Sequence, residues 1–220
     1  TAIIKQLKAE KIFGLGFIIV DDGSPDGTGR IAEQLAKSHN ETFRVIHRKH
    51  KLGLGTAYIT GFKEALKLGA EYIVQMDADL SHPPTELPSM LRKVEEGADV
   101  VIGSRYIPGG GVDPNWNWLR RQISFWGGFG IKLVLGLKIH DTTSGFKVFR
   151  RSALELIKLD DLRLSGYGFQ PEVSYRCQKK GLEMIEHPFI FLDRKRGQSK
   201  MSIKIVIEAF FRLLKLRLVG

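Results

Sequence analysis

One cysteine, Cys177, stands in 220 residues, so no internal disulfide can staple the fold, and the chain fits a reducing compartment. No run reaches the roughly 20 apolar residues that cross a bilayer. The longest candidate, 123–139, is interrupted by Gly127, Gly128, Gly130 and Gly136 and by Lys132. A Walker-type G-x-x-x-x-G-K-[ST] is absent, which argues against an NTPase, and Gly53-Leu54-Gly55 lacks the third glycine of a dinucleotide-binding turn. Ser24, Ser104 and Ser144 lack G-x-S-x-G flanks, and the histidines, His82 and His140 among them, form no zinc spacing. No signal peptide, internal repeat or low-complexity linker is visible. Acid is also in short supply. The 24 Asp and Glu against 34 Lys and Arg leave a net charge of +10, which favours an anionic partner: nucleic acid, an acidic membrane surface or a phosphorylated substrate.

What is present is an alternation of strand-like and helix-like segments. Residues 1–12 carry Ile3, Ile4, Leu7 and Ile12 at helical spacing. Phe17-Ile18-Ile19-Val20 is a β-branched run feeding the turn-rich Asp21-Asp22-Gly23-Ser24, after which Ser24 or Thr28 can cap a helix through Ile31 and Leu35. Strands are then expected at 43–46, 72–76 and 99–103, and helices at 57–68 and 86–96. This spacing of about 25 residues between strands marks βαβ units and a doubly wound α/β sheet. The regularity ends at Ser104. Residues 104–122 read as loop, 123–139 as either a buried packing helix or a membrane-interface helix, and 146–149, 170–181 and 189–192 as a second strand–helix–strand portion. In the last segment Ile203, Val206, Ile207, Phe210, Leu213 and Leu214 share one helical face, while Lys204, Glu208, Arg212 and Lys215 share the other. That pattern suits either a docked surface helix or an interfacial one.

The chemistry concentrates at 72–84, YIVQMDADLSHPP. An apolar strand breaks into Asp77-Ala78-Asp79, and Pro83-Pro84 bars its continuation. Open α/β sheets bind ligands at the carboxyl ends of their strands, and two adjacent carboxylates repel each other unless a cation relieves them. Mg²⁺ typically takes one or two carboxylates plus substrate phosphates. The loops at 21–24, 51–53 and 103–105 also follow strands and so fall at the same rim. Arg105, Arg120, Arg121, Arg194, Arg196 and Lys200 are the candidate phosphate cations, with Gly197 permitting a loop that closes over an anion.

Seven motifs occur in one order: IVDDGSPDGT (19–28), LGLGTAY (52–58), MDADLSHPP (76–84), GSRY (103–106), DTTSGF (141–146), GYGFQ (166–170) and RKRGQSKM (194–201). Together they resemble the dolichol-phosphate (polyprenol-phosphate) mannose synthases, inverting glycosyltransferases of the GT-A fold. The resemblance implies a Rossmann-like α/β domain over 1–200 with a mostly parallel central sheet and helices on both faces, followed by an amphipathic interfacial helix over 201–220. It also implies a strand with a P-x-Y-N-E-type motif ahead of residue 1. By the same resemblance Asp77 and Asp79 hold Mg²⁺ or Mn²⁺, with Ser81 at a third ligand position where some relatives carry Gln. Ile19, Asp21 and Ala78 would contact the nucleotide sugar. Asp79 and Arg105 would be catalytic, and Arg105 would join Arg120 and Ser124 at the lipid phosphate. Arg194 and Lys200 would close on the donor phosphates. GDP-mannose is then the donor, a dolichyl or polyprenyl phosphate the acceptor, and a β-mannosyl lipid phosphate the product. The enzyme would sit peripherally on the cytoplasmic side of a membrane, that of the endoplasmic reticulum in a eukaryote or the plasma membrane in a prokaryote, with room for small membrane-anchoring subunits and no nucleic acid.

Three rivals remain at this level. A hexosyltransferase using a UDP-sugar differs in donor competition. A nucleic-acid-binding domain, suggested by the charge and by Trp116 and Trp118, would show a log–log salt dependence, and no recognised nucleic-acid module is present. A structural membrane-associated module would be excluded by catalysis that disappears in Asp79→Ala with the fold intact.

Overall fold

The computed structural model describes residues 2–10, 12, 14–38, 43–49, 53–164, 166–193 and 211–218. The expected sites Arg194 and Lys200, together with Arg196, Lys51, Leu52 and most of the 201–220 helix, lie outside these residues. In chain order the elements are α1 (Ala2–Ala9), β1 (Phe17–Asp21), α2 (Thr28–Ser38), β2 (Phe43–His47), α3 (Leu54–Lys67), β3 (Tyr72–Gln75), α4 (Leu87–Glu95), β4 (Val100–Ser104), β5 (Gly111–Val112), α5 (Trp118–Leu135), β6 (Lys147–Arg150), α6 (Arg151–Leu156), α7 (Phe169–Lys179), β7 (Met184–Pro188) and β8 (Ile190–Phe191). A last helix, α8, covers 211–218.

β1 pairs with β2, β4 with β7 and β5 with β8, all in parallel, as strand–helix alternation predicts. β6 is different. It lies between β3 and β4 and runs antiparallel to both. The strand at 184–188 is not evident from the sequence, because Glu186 and His187 interrupt its apolar pattern.

Alternation along the strands sorts the core onto two faces. Val100, Ile102 and Phe149 face a cluster with Phe62 of α3, Leu135 of α5, Leu154 of α6 and Val173 of α7. Val101 and Val148 face the opposite cluster, with Leu7 of α1 and Met90 and Val94 of α4. Helices therefore cover both sides, and α3 packs on β1 as well as on β3.

The segment expected at 123–139 is the helix α5. It starts earlier, at Trp118, where the Asn117 side chain accepts from the Arg120 amide, and ends on left-handed Gly136. Ser124, Gly128, Ile131 and Leu135 form its buried face. Trp118, Leu119, Phe125, Trp126, Phe129 and Leu133 are exposed on the other. No helix among the described residues is long and apolar enough to cross a membrane. In α8, Leu213 is buried in the core and Arg217 Nη1 donates to the Leu135 carbonyl at 2.7 Å, whereas Phe211, Leu214 and Leu218 are exposed. The expected common face of Leu213 and Leu214 is thus split between core and solvent.

Lys147 is fully buried inside the apolar run Phe146–Phe149. Burial pulls its pKa down to about 7 from the ordinary 10.5. Between those values the unfolded chain binds more protons, so the cost of burying the ammonium is full below about pH 7 and fades as pH rises toward 10.5. Wild type should therefore gain stability relative to Lys147→Met from pH 7 to 10, measured by urea unfolding. Parallel curves for the two proteins would contradict this.

Candidate active site

Because β3 and β4 both oppose β6, they point the same way, and their carboxyl ends share one edge with the amino end of β6. Three segments meet there: the acid turn 77–82, residues 104–106, and 141–146. Short polar contacts hold them around two carboxylate centres, the Asp77–Asp79 pair and Asp141.

In the acid turn, Asp77 Oδ1 accepts from the Tyr58 hydroxyl of α3 at 2.9 Å. Asp79 Oδ1 accepts from the Ser81 amide at 3.0 Å and the Ser81 hydroxyl at 2.5 Å. Leu80 takes a left-handed φ of 67°, a conformation costing a side-chain-bearing residue about 1–2 kcal/mol, and the Ser81 bonds to Asp79 hold the turn in it. Ala78 is exposed between the two acids. His82 is a buried prop. Its Nδ1 accepts from the Asp77 amide at 2.9 Å, and its ring stacks on Phe146 at 5.1 Å. Burial lowers its pKa, which suits a ring nitrogen that must stay unprotonated to accept.

A carboxylate offers about four acceptor positions, so the Tyr58 and Ser81 contacts leave Asp77 and Asp79 able to ligate a hard cation. No cluster of three His, Cys, Asp or Glu suited to a metal occurs among the described residues. Two carboxylates on one turn fit Mg²⁺ or Mn²⁺ whose remaining ligands are water and substrate phosphate. They do not fit a closed structural site. Ser81 is fully buried against Asp79, so its nearest role is to orient that acid.

Arg105 is one half of a buried ion pair. Its Nε lies 2.7 Å from Asp141 Oδ2 and its Nη2 2.7 Å from Asp141 Oδ1 and 2.8 Å from Thr143 Oγ1, while its amide also reaches Asp141 Oδ2 at 3.0 Å. Its side chain is 10% exposed and that of Asp141 0%. Burial pushes the Asp141 carboxyl up, but the Arg105 charge and hydrogen bonds outweigh it and leave the pKa below the usual range. Glu186 of β7 completes the support by accepting from the amides of His140 and Asp141, each at 2.9 Å. Sequence reasoning singles out Arg105 and not its partner, since 36 positions separate them.

Tyr106 links this pair to α5: its hydroxyl is 2.7 Å from Ser124 Oγ. Arg120, one turn earlier on the same helix, binds both carboxylate oxygens of Asp193 at 2.9 and 3.2 Å and lies 3.8 Å over the Trp116 ring. The structure thus brings Arg105, Ser124 and Arg120 into one chain of contacts. Arg121 is used otherwise: it donates to the carbonyls of Pro114 and Trp116 at 2.6 and 3.1 Å and pins the turn before α5.

On β1, Ile19 is partly buried opposite Val45. Asp21 is buried, and hydrogen bonds from Ser24 hold its carboxyl below the usual pKa despite burial. A cleft of about 260 Å³ beside it is lined by Ser24, Pro25, Arg30 and His47. Gly29 belongs to the same wall, and a Cβ there would come within 2.7 Å of Asp21 Oδ2. Asp22 is paired with Arg48, which also donates to Thr56 Oγ1 at 2.7 Å.

Asp141→Asn should leave the Arg105 charge buried without its counter-ion, costing about 3 kcal/mol or more in urea unfolding. Adding Arg105→Met should recover much of that loss, and a double variant as unstable as Asp141→Asn would contradict the pairing.

Residues 2–157 match the model of the family described as "Glycosyl transferase family 2". The chain is 44% identical to "Polyprenol monophosphomannose synthase" of Mycolicibacterium smegmatis over 89% of its own length and 74% of that protein. It is equally identical to "Undecaprenyl-phosphate mannosyltransferase" of Micrococcus luteus over 87% of this chain and 78% of that one. Among solved structures, glucosyl-3-phosphoglycerate synthase from Mycobacterium tuberculosis in complex with Mn²⁺, UDP-glucose and phosphoglyceric acid superposes with a TM-score of 0.62 at 17% identity, covering 97% of this chain and 74% of that chain. The likeness in fold is that of a GT-A glycosyltransferase, and the acid turn at the sheet edge sits within the matched region. The chain belongs to glycosyl transferase family 2.

Proposed function

We propose that this chain transfers mannose from GDP-mannose to the phosphate of a polyprenyl lipid, with inversion, giving a β-mannosyl phosphoryl polyprenol. The observation that carries the reading is the 44% identity, over most of the chain, to two proteins named for mannosyl transfer to such lipids. In this reading Asp77 and Asp79 hold Mg²⁺ or Mn²⁺ on the donor diphosphate, and that ion supplies charge neutralisation of the leaving group. Asp21 and the cleft beside it take the nucleoside.

The acceptor phosphate oxygen is already anionic at neutral pH. It forms its bond to the anomeric carbon as the carbon–oxygen bond to the diphosphate breaks, and the electron pair leaves with GDP. No proton has to be removed, so the demands on the protein are orientation and preorganised charge. Arg120 suits the acceptor phosphate, which would take the place of Asp193 on its guanidinium. Ser124 and Tyr106 stand one turn further in. Arg105, held by Asp141, brings a fixed dipole to the reaction centre in place of an isolated cation. The exposed aromatic and aliphatic face of α5 begins at this same end of the helix, with the neighbouring cations Lys132 and Lys138 to meet anionic lipid.

The test is an assay with GDP-mannose, a short polyprenyl phosphate and Mg²⁺ or Mn²⁺. Mannosyl lipid should form, and Asp79→Ala should cut kcat about 100-fold or more, as several kcal/mol of charge stabilisation is lost. Full turnover with UDP-glucose while GDP-mannose stays inert would replace the donor. Arg120→Ala should raise the KM for lipid phosphate and leave that for the donor unchanged; an equal rise in both would move Arg120 to the donor side. Trp126→Glu should weaken flotation with anionic liposomes several-fold, and undiminished flotation would remove α5 from the lipid surface.

A further inference from the structure

Two of the ordered motifs, LGLGTAY (52–58) and GYGFQ (166–170), have no part in the chemistry above. The structure packs them together. Gly55, in the first turn of α3, lies so close to the start of α7 that a Cβ there would come to 2.9 Å of both Phe169 Cδ2 and the Leu164 carbonyl oxygen. Phe169 is fully buried. Tyr58 stacks on it with ring centroids 5.7 Å apart and planes 9° from parallel, and also stacks on Phe62 at 6.1 Å. The helix that carries Tyr58 is placed by contacts outside the acid turn. Phe62 and Ala65 are buried in the core, and Arg48 reaches Thr56 Oγ1 at 2.7 Å and the Gly53 carbonyl at 3.2 Å.

From this anchored ring the Tyr58 hydroxyl meets Asp77 Oδ1 at 2.9 Å. An ionised carboxylate only accepts, so the phenol donates. The main chain of Asp77 is held separately, its amide donating to His82 Nδ1 at 2.9 Å, with the His82 ring stacked on Phe146. Asp77 is thus gripped at two points by two packed rings. The Ser81 donors to Asp79 belong to the turn itself and move with it, whereas Tyr58 reaches Asp77 from another element, 19 positions away in sequence. The stacking contacts need only the ring, and the hydroxyl goes to Asp77.

We infer that Tyr58 is a positioning residue for the divalent cation: by holding Oδ1 it fixes the carboxylate of Asp77 as a one-oxygen ligand, which favours a small octahedral ion over Ca²⁺. Mg²⁺ demands near-ideal octahedral geometry, whereas Ca²⁺ takes about six to eight oxygens and accepts a carboxylate through both of its own. Groups that orient a ligating side chain are commonly worth about 10–100-fold in metal affinity. The inference rests on the reading of Asp77 and Asp79 as the cation site, and it names what sets the preference of that site among ions.

Tyr58→Phe keeps the ring and removes the donor. Mn²⁺ binding is read by electron paramagnetic resonance with whichever of GDP and UDP the wild type binds alongside the metal, so the identity of the base does not enter. The variant should melt with the wild type and bind that diphosphate as tightly in EDTA, while Mn²⁺ binds about tenfold or more weakly. Displacement of Mn²⁺ by Mg²⁺ and by Ca²⁺ should show the ratio of their affinities moved several-fold toward Ca²⁺ in the variant. Equal Mn²⁺ affinity and an equal Mg²⁺ to Ca²⁺ ratio in the two proteins would overturn the inference and leave the cation site standing. A wild type that binds Mn²⁺ no better than Asp77→Ala/Asp79→Ala would remove the site and the inference with it. Where Tyr58→Phe fails to fold, a wild-type crystal with Mn²⁺ and the diphosphate decides. The ion on one oxygen of Asp77, with the Tyr58 hydroxyl still on the other, supports the inference. An ion held by both Asp77 oxygens, or not touching Asp77, rejects it.

Discussion

β6 enters the sheet against the direction of both its neighbours, and the meeting of the acid turn, Arg105 and Asp141 follows from that reversal. With β3 and β4 both antiparallel to β6, the two strand ends that carry Asp77–Asp79 and Arg105 open at the edge where 141–146 comes in. Asp141 can then reach Arg105 across 36 positions of sequence, and Gly145 can sit between Gln75 and Gln170. Had 147–150 paired in parallel, its leading loop would lie at the opposite edge, away from the acids.

Charge is distributed around this edge by pairing. Arg48 is matched to Asp22, Arg105 to Asp141 and Arg120 to Asp193, so a chain of net charge +10 presents oriented ion pairs near its sheet edge. Their burial sets how firmly each is held. The Arg105–Asp141 pair is almost wholly enclosed, whereas the Arg120–Asp193 pair is about one-third exposed on each side. An exposed pair is worth about 0–1 kcal/mol, which an incoming phosphate can replace. A buried pair is expensive to break. The two arginines thus divide naturally into a fixed element and an exchangeable one. Tyr58 and Ser81 give Asp77 and Asp79 hydroxyl donors, and a carboxylate has further acceptor positions for a cation.

Much of this was legible in the sequence, for reasons that particular residues make plain. β-branched runs such as Phe17–Val20 and Asp99–Gly103 mark strands because the pleat favours them, and Asp77–Asp79 is conspicuous because two acids follow an apolar run and precede two prolines. Strand direction was not legible: Lys147-Val148-Phe149-Arg150 reads alike in either orientation. Lys147 itself looks like a solvent-facing position of an alternating strand, yet it lies in the interior against Ser144 and Gln170, because both faces of β6 are covered by helices. Asp141 and Glu186 gain their meaning only from partners far along the chain. α5 is a packing helix on one face, where small Ser124 and Gly128 turn inward, while its aromatic residues stay outside.

Whether the Asp77–Asp79 turn is the place where the donor diphosphate and its cation are held decides the rest. Anomalous diffraction from crystals grown with Mn²⁺ and a nucleoside diphosphate tests it directly. A single strong manganese peak is expected within ligand distance of carboxylate oxygens of Asp77 or Asp79 and of the diphosphate. A well-ordered diphosphate and manganese bound elsewhere, with both acids uninvolved, would contradict it.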